Sequence, residues 1–174
     1  MIEKLPFEEA DTIDYYEGQR IIEKEDILLR VWDDRIIHAC RYARKAYPVI
    51  NKSFFNGKLP GAEIGFYSPE DGGYAGMDED AIATYYDGMI GFNSDAIPID
   101  KLETLSTLAH EMVHQYCDLQ GITDCVGSYH TEAYKAEAER INLICSYNND
   151  KTGFSRTELS DAFLSQLTIP ADEI

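Results

Sequence analysis

Residues 107–120 read TLAHEMVHQYCDLQ, which sets His110 and His114 four residues apart with Glu111 directly after the first of them. On an α-helix, residues four apart share one face about 6 Å apart along the axis, so the two imidazoles can aim at one point. Glu111 then reaches the open side of whatever the imidazoles hold. This is the HExxH arrangement of a catalytic zinc site. Zinc held there lowers the pKa of its bound water to about 7 and polarises a carbonyl. Glu111 is expected to take the water's proton and later pass it to the leaving amine. The chemistry implied is peptide-bond hydrolysis through a metal-activated water, with Zn2+ as the cofactor.

The bland alternative is an amphipathic helix that happens to carry two histidines. Projected at about 100° per residue, Leu102, Leu105, Leu108, Ala109, Met112, Val113, Tyr116 and Leu119 form one stripe, and His110 and His114 fall mostly outside it. They are therefore not core histidines. Three of the four histidines in the chain lie between residues 110 and 130, a clustering that composition does not predict. The fourth, His38, sits alone in a helical pattern and is read as a packed or surface residue.

A tetrahedral catalytic site takes three protein ligands and leaves the fourth position to water. The spacing HExxHxxGxxH is excluded, because no histidine follows His114 at that distance. His130 is the next available, with Glu132, Cys117 and Cys125 as rivals. In regular helix Glu132 would point about 200° away from His130, so the two cannot readily serve together.

These residues need elements to carry them. Leucines, isoleucines and aromatics recur at helical spacing over residues 23–51, after an arm at about 1–22 with no sustained period. The NGKLPG turn at 56–61 precedes AEIGFY, read as a strand, and the glycine-rich DGGYAG follows at 71–76. AIATYY and GMIGFN flank Asp87-Gly88, a pair suited to a type I′ hairpin. Asp100 with Glu103 forms a capping box, and the helix it opens runs to Gly121. A further helix is expected from about 130 to 147 and a weaker one over 157–167, the latter within a loosely ordered tail at about 150–174. The outline is α+β: a long N-terminal helix, a small, mainly antiparallel three-stranded sheet, the HExxH helix and a following helix, all in a single domain over 1–174.

Taken in order, FFNGKLPGAEIGF, GGYAGM, MIGFNSDAI, TLAHEMVHQY and YHTEAYKAEAERIN resemble the SprT-like, or Spartan-type, zinc metallopeptidase domain over about residues 45–145. The resemblance implies a zincin-like fold, zinc on His110, His114 and His130, and Glu111 as general acid/base. Two departures stand out. Thr131 occupies a place where the family usually has glycine. No cysteine-rich zinc ribbon or basic tail is present, so a role on DNA-crosslinked proteins does not carry over. In zincins generally, the strand before the active-site helix tends to be an edge that pairs with extended substrate, and GMIGFN occupies that place. Tyr74 and Tyr134 are candidate donors to a tetrahedral oxyanion, although packing is the simpler role for both.

Composition narrows the partners. Thirty-two acidic residues against 15 basic ones give a net charge of −17, which repels phosphate backbones, so a protein or peptide substrate is expected rather than direct nucleic-acid binding. The acid is read mainly as a solubility device, with a cleft that favours basic or unfolded peptide segments as the functional alternative. The acidic start carries no signal-peptide pattern and no stretch is long enough to span a bilayer, so a cytoplasmic location without membrane attachment is expected. Cys40, Cys117, Cys125 and Cys145 form no CxxC pair and are read as reduced thiols, with a Cys117–Cys125 disulfide as the minor option. The class that competes with an enzyme is a zinc-stabilised binding or regulatory module on the same fold.

Overall fold

A computed structural model of the chain describes residues 34–68, 81–96, 98 and 100–174. The expected arm, the first part of the N-terminal helix, the DGGYAG loop and Tyr74 lie outside the described residues. Helix α1 runs Asp34–Phe55. It buries Ala43, Ala46, Tyr47 and Ile50 and leaves His38 exposed. After it, Asn56 and Gly57 adopt positive φ. The buried Asn51 side chain exchanges two hydrogen bonds with the Leu59 main chain, at 2.9 and 3.1 Å, which closes the NGKLP turn.

Three strands follow: β1 (Glu63–Tyr67), β2 (Ala83–Tyr86) and β3 (Met89–Asn93). The sheet order is β1-β3-β2, with β1 and β3 parallel and β2 and β3 antiparallel. The sheet is thus mixed rather than mainly antiparallel. The hairpin forms as its residues require, Asp87 and Gly88 both at positive φ. GMIGFN, however, is the central strand. Its far side is taken by β1, and the edge beside the HExxH helix is β2.

Helix α2 spans Lys101–Gln120. The Asp100 side chain accepts from the Glu103 amide at 2.9 Å, and Gly121 closes the helix in the left-handed conformation. Leu105, Leu108, Ala109, Met112 and Val113 are fully buried, while Leu102 and Leu119 at the two ends are about half exposed, at 49% and 48%. The apolar stripe is therefore shorter than its sequence pattern. Gln115 is buried with it and accepts a hydrogen bond from the Tyr47 hydroxyl at 2.7 Å, linking α2 to α1.

The C-terminal third departs most from expectation. Two short strands, β4 (Cys125–Val126) and β5 (Tyr129–His130), precede α3 (Glu132–Arg140). This helix stops well short of residue 147, because Asn142 turns left-handed and the alternating LICS becomes β6 (Leu143–Ser146). Residues read as the start of a weak helix instead form β7 (Arg156–Leu159), paired antiparallel with β6. Only then does Ser160 cap α4 (Asp161–Gln166). The segment expected as a loose tail seals the core with Phe163 and Leu167, Phe163 stacking on Phe54 of α1 at 4.4 Å. None of the helices described is long and apolar enough to cross a membrane.

Candidate metal centre

α2 presents His110 and His114 on its half-buried face, and β5 brings His130 against them. The three Nε2 atoms form a triangle with every side 3.1 Å. Three nitrogens bound tetrahedrally to one ion at about 2.0–2.1 Å would stand roughly 3.4 Å apart, so the triangle matches a zinc ligand set closely. The outer nitrogens are each held. His114 Nδ1 lies 2.6 Å from Asp124 Oδ2, His130 Nδ1 lies 3.3 Å from the Ser128 carbonyl, and His110 Nδ1 lies 3.1 Å from Thr157 Oγ1. A carbonyl and a carboxylate only accept, so His114 and His130 carry their protons on Nδ1 and turn Nε2 lone pairs inward. Converging lone pairs at this distance repel unless a cation lies among them, and one proton can bridge only part of the triangle. The residues present therefore fit a metal ion.

The charges of His110 and His130 agree with that reading, whereas His114 has to give up its Nε2 proton to an incoming ion. Burial and the neighbouring His114 and His130 push His110 well below the ordinary imidazole value of 6.5. Burial and His114 bring His130 to about 4, against its hydrogen bonds to the Ser128 and Thr152 main chains. His114 goes the other way. Burial opposes its charge, yet the hydrogen bonds with Asp124 and Cys125 and the charge of Glu111 lift it to about 10. Burial disfavours the Asp124 carboxylate, but the His114 hydrogen bond and charge, together with main-chain hydrogen bonds at Asp124 and Cys125, outweigh it and hold the carboxyl below the usual value.

Glu111 is 4% exposed. Its Oε2 accepts from the Tyr85 amide of β2 at 2.7 Å, an amide that alternation along the β2–β3 ladder points away from β3. Burial raises its carboxyl above the ordinary range, outweighing both that hydrogen bond and the His114 charge. Glu111, His110, His130 and Ala83 of β2 line one cleft of about 440 Å³, walled on the far side by Thr152, Arg156 and other residues of the β6–β7 segment.

The rival ligands stand elsewhere. Glu132 is exposed at the first turn of α3, and Cys117 is fully buried with its thiol pushed up to about 12 by burial. Neither joins a group of metal-ligating atoms among the described residues. Cys125 does, with Asp124, but on the outer side of His114. All four cysteines are free. Thr131 caps α3 in extended backbone, φ −83°, accepting from the Tyr134 amide and donating to the Thr123 carbonyl, so glycine is not needed there.

Tyr134 is a packing residue. Its buried ring lies 4.6–4.9 Å from all three imidazoles, and its hydroxyl turns to the His110 carbonyl at 3.5 Å. Asp124 and Thr157, which hold the outer nitrogens, escaped the sequence reading. The usable signal was the carboxylate ten residues after His114; nothing local marks Thr157. Comparison with protein-family models, curated proteins and solved structures returns no match for this chain.

Proposed function

We propose that the protein is a zinc-dependent peptidase of the SprT-like kind. The observation that carries the proposal is the 3.1 Å triangle of Nε2 atoms with Glu111 in the same cleft. His110, His114 and His130 would hold the ion, His114 releasing its Nε2 proton on binding, and three imidazoles suit zinc. Bound there, zinc would supply Lewis acidity toward the scissile carbonyl and acidify a water.

The remaining work falls to the chain. Glu111 is the general base and then the acid: burial raises its affinity for a proton, and the Tyr85 amide keeps one carboxylate oxygen fixed. The outer edge of β2 offers main-chain groups to an extended peptide running along the cleft. A carboxylate this deeply buried beside three imidazoles is costly to a site whose only task is structural, which favours catalysis over a zinc-stabilised binding module.

The test combines metal analysis with hydrolysis of an unfolded protein substrate by wild type and Glu111→Gln. About one zinc per chain in both, with turnover lost by roughly 10²-fold or more in the variant, is expected. Equal turnover in the two would remove Glu111 from the mechanism. Metal without turnover in wild type would leave the binding module.

A further inference from the structure

We propose that residues 148–157 act as a clamp on the metal centre and that Thr157 is a positioning residue for His110. The inference rests on the metal reading above, not on the peptidase reading. This segment holds two of the three histidines by different means. The His130 amide donates to the Thr152 carbonyl at 3.0 Å, and the Phe154 amide donates to the His130 carbonyl at 3.1 Å, so both main-chain groups of His130 are fixed here.

The clamp is itself braced. Asn149 Oδ1 accepts from the Lys151 and Thr152 amides at 2.9 and 3.0 Å, and Asn148 and Gly153 are joined through the main chain at 2.8 Å. Its far end reaches α2. Ser106 Oγ donates to the Thr157 carbonyl at 3.4 Å, and Thr157 Oγ1 faces His110 Nδ1 at 3.1 Å.

A neutral imidazole has one N–H. With the Thr157 oxygen accepting it on Nδ1, the His110 lone pair is left on Nε2, aimed at the other two histidines. Thr157 thus supports that tautomer and sets the ring angle of His110, while the 152–154 main chain sets the position of His130. His114 depends on Asp124 instead. Linkage is reciprocal: a clamp that tightens metal binding is tightened by the metal.

The experiment measures zinc affinity by chelator competition, and the visible spectrum of the Co2+-loaded protein, for wild type, Thr157→Val and Thr157→Ser. Amide hydrogen exchange of residues 148–157 in wild type is followed with and without zinc. Valine keeps the shape and removes the acceptor, so zinc affinity should fall about tenfold with a changed Co2+ spectrum, while serine should stay within about threefold of wild type. Exchange across 148–157 should slow when zinc is added.

A folded Thr157→Val protein with wild-type affinity and spectrum would overturn the clamp, and so would exchange indifferent to zinc. If Thr157→Val does not fold, the exchange result decides. Wild type that binds neither metal would overturn the metal reading and the clamp with it.

Discussion

Gly153 offers a perturbation whose size follows from geometry. Its φ is +62°, and a Cβ built there would stand 2.3 Å from the His130 carbonyl oxygen and 2.9 Å from the Tyr129 ring. An alanine in the left-handed region costs about 1 kcal/mol before any contact is counted. A carbon 2.3 Å from a backbone oxygen cannot be absorbed by a side-chain rotation, so the 152–154 segment must move off His130. The two hydrogen bonds joining them go with it, at about 1 kcal/mol each. Gly153→Ala should therefore destabilise the protein by about 3 kcal/mol, which for a chain of this size lowers Tm by roughly 6–12 °C. Because the displaced segment carries the main-chain partners of a proposed ligand, zinc affinity should fall too. Thermal melting of the metal-free protein by circular dichroism gives the first quantity, and chelator competition the second. A variant that melts within about 2 °C of wild type would refute the steric reasoning.

Other expectations concern individual side chains. His130→Ala should lower zinc affinity at least about tenfold, while Glu132→Ala and Cys117→Ser leave metal content unchanged; loss of metal in Glu132→Ala alone would reassign the third ligand. Asp124→Ala should weaken zinc binding by about 10–100-fold by releasing the His114 ring, measured by the same competition. In the native protein at pH 8, a thiol reagent should label Cys125 well before Cys40, Cys117 and Cys145, which are buried and raised by that burial to about 12, 12 and 11. Native thiols with raised pKa keep their protons longer than unfolded ones. Their stabilising contribution is therefore complete below the ordinary value of 9.0 and is lost as pH rises toward 12. Melting of metal-free protein from pH 8 to 11 should show that decline, and Cys40→Ala should flatten it.

The parts of the site legible in the sequence were those set by local rules. The α2 boundaries followed from the Asp100 oxygen and the freedom of Gly121, and the Asp87-Gly88 turn from its backbone demands. The cluster of His110, His114 and His130 followed from helical period and from the scarcity of histidine. What was not legible depends on pairing between distant segments. RTEL can lie in a helix or a strand, and only its partner LICS, 13 residues upstream, decides for β7. β3 was read as an edge because adjacency in sequence to β2 says nothing about β1, which takes its other side. Thr157 is one threonine among many until that hairpin forms, 47 residues after the histidine it faces.

The same spacing along the chain gives the site a history within each round of synthesis. A growing polypeptide exposes α1 and the three-stranded sheet first, then His110, Glu111 and His114, then Asp124 and His130, and last the segment from Asn148 to Thr157. Until that last segment emerges, His130 lacks both of its main-chain partners and His110 has nothing on Nδ1. On the reading above, the nascent chain carries its base before its metal grip is finished. The metal grip then closes in one step of local folding, once Asn148 to Thr157 has joined the segments made before it.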